Sequence, residues 1–175
     1  MTSYLERTTA EGKAIPLEDL CLEIVDCHHS TPKWTDTGKL VIRNFNIKSG
    51  RLHLDDLSYT DEASFMERIS RSKPEPGDLI ITREAPMGEV CIIPEGIECC
   101  LGQRMVLIKP NLKKTNPKYL LYALQSEFVQ KQIQRSDKTG SIVSNLRIPV
   151  LKRLLITSFD TKIEEKIGSI LDDIV

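Results

Sequence analysis

The sequence predicts one α+β domain, with a bent mixed or antiparallel sheet, short flanking helices and a helix at the C-terminus. Three observations predict it. Short apolar runs, Leu79 to Thr82, Val90 to Ile93 and Met105 to Ile108, alternate with turns rich in Pro and Gly such as Pro74-Glu75-Pro76-Gly77, Ala85-Pro86-Met87-Gly88 and Pro94-Glu95-Gly96, the pattern of short strands in a strongly bent sheet. Helical periodicity occurs in a few separate stretches, most clearly at the end of the chain. The 175 residues, 40% of them hydrophobic, can bury a sizeable core yet fit within one domain.

Taken in order, Pro16-Leu17-Glu18-Asp19-Leu20 predicts a short helical turn, since Pro is tolerated and acids are favoured at a first turn. Asp26 to Gly38 is rich in Ser, Thr, Pro and Asp and predicts a loop. A strand through Leu40, Ile42 and Phe45 is expected to end in a turn at Lys48-Ser49-Gly50. Asp61 to Ile69 reads as a helix capped by Thr60, with Ala63, Met66 and Ile69 at helical spacing. A second helix starts at Asn116-Pro117, Asn capping and Pro at the first position, and runs through Leu121, Leu124 and Phe128 towards Ile133. A polar loop, Arg135 to Ser141, and a Leu/Ile-rich return segment ending near Thr157 lead to the last element. There Thr161-Lys162-Ile163-Glu164 has the form of a capping box, and Ile163, Ile167, Ile170, Leu171 and Ile174 fall on one helical face. No stop signal precedes Val175, so the stripe is expected either to continue into a longer chain or partner, or to dock on the domain's own core.

Composition narrows the function classes. Apolar runs stay far short of the roughly 20 residues of a membrane span, and the N-terminus lacks a secretory pattern, so a cytoplasmic protein is expected. Five cysteines without a Cys-x-x-Cys pair predict reduced thiols. Cys27, His28, His29 and His53 lack the usual spacing of zinc ligands, and no metal or cofactor is expected. With 24 basic and 25 acidic residues, the net charge of −1 gives no global attraction to DNA. Along the chain, however, charges separate. Leu101 to Lys118 carries Arg104, Lys109, Lys113, Lys114 and Lys118 without an acid, while acids gather at Asp55 to Glu67, Glu84 to Glu98 and Asp160 to Asp173. That distribution permits either a basic face, as a nucleic-acid footprint requires, or a mixed solvated surface.

Five ordered motifs carry a resemblance. Asp26-Cys27-His28-His29-Ser30-Thr31-Pro32 is similar to an Asp-Gly-Thr-His-x-Thr-Pro signature, with Cys27 and His28 replacing Gly and Thr. Val41-Ile42-Arg43-Asn44 with Asn46-Ile47-Lys48-Ser49-Gly50-Arg51-Leu52 forms the second motif, and Lys73 to Val90 with Cys100-Leu101-Gly102-Gln103-Arg104 the third. Asn116 to Ser126 contains Pro-x-Tyr-Leu-x-Tyr, and Gly140-Ser141-x-Val143 with Leu146 precedes the return strand. In this order and at these intervals, over roughly residues 15 to 175, they resemble a target-recognition domain of the type I restriction-modification specificity (S) subunits. One departure lies at the end, where Asp160-Thr161-Lys162-Ile163-Glu164-Glu165 stands in place of Pro-x-x-x-Glu-Gln.

The resemblance implies sequence-specific recognition of one half-site of double-stranded DNA. It implies no catalysis and no cofactor, with a recognition domain over residues 1–157 and the start of a coiled-coil-type spacer helix over 158–175. Implied partners are methyltransferase (M) subunits, through them the restriction (R) subunit, and a second recognition domain in the same chain or by homodimerisation. The residue types suit DNA reading: His29, Ser30, Thr31, Lys33 and Trp34 in the loop, with Asn44, Asn46, Lys48, Gln103, Ser141 and Asn145, offer donors or stacking surfaces. Arg43, Arg83 and Arg104 are guanidinium forks, although internal salt bridges would occupy Arg83 and Arg104 equally well. Ile163, Ile167, Ile170, Leu171 and Ile174 are the expected partner-binding face. Asn116-Pro117-Lys118-Tyr119 resembles the Asn-Pro-Pro-Tyr motif of adenine methyltransferases, but Lys118 replaces the second Pro, no Gly-rich nucleotide loop follows a strand, and a helix cap accounts for Asn116-Pro117. The alternatives are the specificity domain of a fused restriction-methyltransferase enzyme and a protein-interaction scaffold using the C-terminal helix.

Overall fold

The computed structural model describes residues 12–137 and 145–174. Strand β1 (Lys13–Pro16) leads through a 3-10 turn (Leu17–Leu20) into β2 (Cys21–Asp26); β3 (Trp34–Thr35), β4 (Lys39–Ile42), a second 3-10 turn (Asn44–Asn46), β5 (Ile47–Lys48), β6 (Arg51–Leu52) and β7 (Ser58–Thr60) follow. Helix α1 (Glu62–Ile69) precedes β8 (Leu79–Thr82), β9 (Val90–Ile92), β10 (Cys99–Leu101) and β11 (Met105–Pro110). The rest is α2 (Pro117–Gln125), α3 (Glu127–Asp137), α4 (Ile148–Lys152), β12 (Leu155–Ser158) and α5 (Thr161–Ile174).

Two four-stranded sheets organise the chain. One is antiparallel, in the order β2-β11-β8-β9; the other is mixed, β10-β4-β7-β3, with β10 parallel to β4. Strand β8 is buried along its whole length because the antiparallel sheet is covered on both faces. Leu79, Ile81, Val106 and Ile108 pack with Leu120, Leu124, Val129 and Ile133 of α2 and α3, while Ile80, Met105 and Leu107 on the opposite pleat meet Ile42, Ile47, Cys99 and Leu101. Two-sided burial explains why these strands read as continuous apolar runs and not as alternating ones. Outside the mixed sheet, Val41 and Cys100 pack on Phe65 of α1. The layers are therefore helix, sheet, sheet, helix, and the separate pair β1-β12 joins the start of the described chain to the strand before α5.

Several boundaries differ from expectation. Helix α1 is capped by Asp61, whose carboxylate accepts from the Ser64 N–H, and not by Thr60, which lies in β7. The long helix expected from Asn116 breaks at Ser126, where ψ reaches 147°, into α2 and α3. Strand β10 lies in Cys99 to Leu101, where the sequence showed no distinct strand signal. The cap of α5 is Asp160, whose side chain accepts from the Lys162 N–H, so Glu164 does not close a capping box.

Glu164 is fully buried and turned the other way. One carboxylate oxygen accepts from Thr115 Oγ1 (2.7 Å) and the Asn116 N–H (2.9 Å), the other from Ser158 Oγ and the Phe159 N–H (both 3.1 Å). A carboxylate beside the first turn of α2 also complements the positive end of that helix. At Gly168 the two helices approach so closely that a Cβ would lie 3.1 Å from the Tyr119 nitrogen. Asp172 then accepts from Lys118 and from the Tyr122 hydroxyl (2.9 Å). Helix α5 consequently lies along α2 as far as Asp172 through its Glu164/Gly168/Asp172 face. The isoleucine stripe is displaced around the helix, and Ile163, Ile170 and Ile174 are exposed.

Candidate nucleic-acid interface

Asp26, at the end of β2, anchors one side of the surface. Its two oxygens each accept from Arg83 Nη1 at 2.9 Å, and Oδ2 also meets His29 Nε2 at 2.9 Å. Arg83 further donates from Nε to the Leu146 carbonyl, and backbone bonds join Arg83 N–H to the Arg104 carbonyl and Leu146 N–H to the Arg83 carbonyl. One arginine thus ties together the loop after β2, the turn before β11 and the chain beside exposed Asn145. Gln103 donates its side-chain amide to the His29 carbonyl and, at 3.5 Å, to Thr31 Oγ1. Arg104, largely exposed, pairs with Glu84 at 3.1 Å, and its φ of 66° puts it in the left-handed region within that turn.

The loop is held from below by α1. Arg68 is buried and donates to the carbonyls of Leu101 (2.9 Å) and Ser30, while Arg71 donates to those of Asp26 and Cys27. Sequence reasoning missed both. The available signal was spacing, because Arg68 stands three residues after buried Phe65 and so shares its inward face. His28 lies 3.4 Å from Ser70 Oγ, and desolvation together with nearby Arg71 and Arg68 lowers its imidazole pKa below the ordinary value. Lys33 pairs with Asp61 at 2.9 Å, and that bond raises the amine above its usual pKa.

The other side of the surface is built by the second 3-10 turn. The Arg43 guanidinium lies 5.0 Å from the Trp34 ring centroid and 4.6 Å from that of Phe45, and Asn44 donates to the Ala85 carbonyl at 3.0 Å. Because the Gly102 N–H bonds to the Ile42 carbonyl, Arg43 stands next to the Gln103-Arg104 turn. Phe45, which the sequence places in a strand, lies in this turn. Exposed Lys48 sits in the β5–β6 hairpin, where the next residue, Ser49, donates its N–H to Glu89.

Of the expected readers, His29, Ser30, Thr31, Lys33, Trp34, Arg43, Asn44, Gln103 and Arg104 are joined by this framework, and Asn145 adjoins it. Two of the expected readers are engaged inside the domain. Asn46 is buried, its amide donating to the carbonyls of His53 and Asp56 and its oxygen accepting from the Arg43 N–H, so it holds the turn from inside. Arg83 spends its guanidinium on Asp26 and Leu146, the internal pairing that its sequence context equally allowed. Ser141 lies outside the described residues.

Charges separated in sequence meet in space: Lys39 pairs with Glu98, Lys73 with Glu98, Lys109 with Glu75 and Asp78, and Lys118 with Asp172. Within the basic run from Leu101 to Lys118, Lys109 and Lys118 are thus compensated by acids. Burial pushes the thiols of Cys21, Cys91 and Cys99 up to about 12 and that of Cys100 to about 11, so these cysteines pack as apolar side chains. Among the described residues no His/Cys/Asp/Glu cluster could hold a metal ion, and no helix is long and apolar enough to cross a membrane.

The architecture recurs in solved structures. It matches the HsdS subunit from Thermoanaerobacter tengcongensis with a TM-score of 0.71 at 14% identity, covering 94% of this chain and 42% of that one. The type I restriction-modification system S subunit from M. genitalium matches with a TM-score of 0.62 at 16% identity, over 92% of this chain and 38% of the other. In sequence, a Methanocaldococcus jannaschii protein assigned as the specificity subunit of type I restriction enzyme MjaX is 28% identical over 141 residues, 78% of this chain. The chain spans about a third (33%) of that relative's length. Residues 33–175 match the model of the type I restriction modification DNA specificity domain, and the chain belongs to that family.

Proposed function

We propose that this chain reads one half-site of a duplex DNA sequence for a type I restriction-modification complex and performs no chemistry itself. The observation that carries the reading is the joined surface of His29 to Trp34, Arg43, Asn44, Gln103 and Arg104, where donor-bearing side chains converge on turns fixed by buried Arg68 and half-buried Arg83. Rigid turns presenting such donors suit discrimination among base edges, and the exposed Lys33 amine suits a phosphate. Residues 1–157 form the recognition domain in this proposal, and 158–175 begin the spacer. The exposed face of Ile163, Ile170 and Ile174, with Ile167 and Leu171 beside it, meets methyltransferase subunits or a second recognition domain, supplied by the same chain or by a second copy. Restriction subunits join through the methyltransferase subunits.

Binding by the assembled methyltransferase complex at controlled salt tests the reading. Lys33→Ala is expected to weaken binding to all duplexes and to lower the salt slope by about one. Arg104→Ala is expected to cost about 1–3 kcal/mol on the cognate site and to relax the preference at one base pair. If these substitutions, with Arg43→Ala and Gln103→Ala, leave affinity, slope and preference unchanged, the recognition surface lies elsewhere.

A further inference from the structure

Arg43 differs from the other two expected arginine readers. Arg83 and Arg104 each face a carboxylate, whereas Arg43 has no carboxylate partner among the described residues. Its five N–H donors make one long bond, to Ser58 Oγ at 3.5 Å. Its guanidinium rests against two rings that are themselves exposed, Trp34 at 44% and Phe45 at 42%. Aromatic residues make up only 5% of the chain, and here two exposed rings flank one cation. Packing against both restricts the side chain's rotamers before any ligand arrives, so the ordering cost of a later contact is already met.

We infer that Arg43 is the guanine-reading residue of this surface and that Phe45, with Trp34, is its positioning residue. The inference rests on the DNA-reading proposal above. A phosphate needs charge more than orientation, and a flexible lysine supplies it. A fixed guanidinium fork gains most where two coplanar acceptors must be met at a set angle, as at O6 and N7 of guanine in the major groove. Apolar rings beside the fork also suit base edges and thymine methyl groups better than charged phosphate oxygens. Arg43 is followed directly by Asn44 and stands beside the turn that carries Gln103, both residue types able to pair with an adjacent adenine.

The test selects a pool of random-sequence duplex DNA with the assembled methyltransferase complex that contains this chain, comparing wild type with Arg43→Lys, Phe45→Leu and Phe45→Tyr. Arg43→Lys keeps the charge and is expected to reduce the preference for guanine at one base pair about 5- to 150-fold, leaving the other positions and the salt slope as they were. Phe45→Leu is expected to lose part of the same preference and Phe45→Tyr to retain it, a pattern that loss of folding would not give. Should Phe45→Leu fail to fold, Arg43→Lys and Phe45→Tyr still decide. An unchanged motif with Arg43→Lys overturns the inference. So does Arg43→Ala that weakens every sequence equally and lowers the salt slope by about one, the mark of a phosphate contact; the DNA-reading proposal would survive that result. It fails instead if substitutions at Arg43, Lys33, Gln103 and Arg104 all leave the selected motif and the affinity intact.

Discussion

Replacing Glu164 is expected to loosen the C-terminal helix from the domain. Four donors converge on this buried carboxylate at 2.7 to 3.1 Å. In Glu164→Ala the hydroxyls of Thr115 and Ser158 can turn to other acceptors, but the N–H groups of Asn116 and Phe159 are fixed by the backbone. Each orphaned, half-buried amide costs about 1–3 kcal/mol, and the charge beside α2 contributes about a further 0.3–1 kcal/mol. Against this stands the relief of no longer burying an ion without a cationic partner. The net expectation is a loss of about 2–4 kcal/mol. Glu164→Gln keeps one acceptor oxygen and turns an amide group towards the other pair of donors, so roughly half that loss is expected. With a urea dependence of about 2 kcal/mol per molar, the alanine variant's midpoint falls by roughly 1–2 M. Amide exchange across 161–172 is expected to accelerate in parallel. If Glu164→Ala costs less than about 0.5 kcal/mol, the four-donor clasp does not hold the helix.

Ile167→Asp with Ile170→Asp is expected to weaken self-association or capture of methyltransferase subunits while circular dichroism stays unchanged; undiminished association by light scattering and pull-down would return the stripe to the domain's own packing. Gly168→Leu is expected to disrupt the contact of α5 with α2, since even a Cβ meets backbone at 3.1 Å, whereas an unshifted melting temperature would mean the helices part without cost. At pH 8 a thiol with a pKa of about 12 is ionised in about one molecule in ten thousand, so Cys91 and Cys99 are expected to resist a disulfide reagent until urea unfolds the chain. His28 has a lowered folded pKa, so the stability it contributes is present above its ordinary value of 6.5 and is lost as pH falls below it; His28→Gln is expected to flatten that acid limb of the unfolding profile. The chain alone is expected to transfer no labelled methyl group from S-adenosylmethionine to DNA, and single-turnover transfer would overturn the non-catalytic assignment.

The strands that were legible are those buried on both faces, because two-sided burial writes itself as uninterrupted Leu, Ile and Val. Strand β10 was not, since Cys99-Cys100-Leu101 is short and gains its place only by pairing in parallel with β4, far away in sequence. Helix starts were legible to within a residue where a small polar side chain precedes the first turn. The break at Ser126 was not, because apolar periodicity continues across it and only tertiary packing decides that the chain turns. The C-terminal helix shows the limit most sharply. Its isoleucines formed the most regular pattern in the sequence, yet the face that docks is Glu164, Gly168 and Asp172, a set no hydrophobicity argument would select.

The proposed recognition surface divides along the same line. Residue types that can meet DNA were visible in His29 to Trp34, Arg43, Asn44, Gln103 and Arg104, because donors crowded into turns have few structural uses. Which of them stay available was decided by partners remote in sequence: Asp26 takes Arg83 from 57 residues away, and the carbonyls of His53 and Asp56 take the Asn46 amide. The buried clamp of Arg68 was harder to read, since an arginine in a short amphipathic helix is ordinarily solvated; its spacing from Phe65 marks the inward face, but its partners Ser30 and Leu101 are remote in sequence. Arg83, Arg68 and Asn46 bond to backbone carbonyls of separate loops, and in the proposed reading that bracing holds Arg43, Gln103 and Arg104 in register for DNA. Substituting a side chain in the framework is expected to blur recognition at several positions at once, whereas substituting one on the surface changes a single position. Comparing the selected motif of Arg68→Met with that of Arg104→Ala measures this difference, and a single-position change in both would show that the loops keep their register without the clamp.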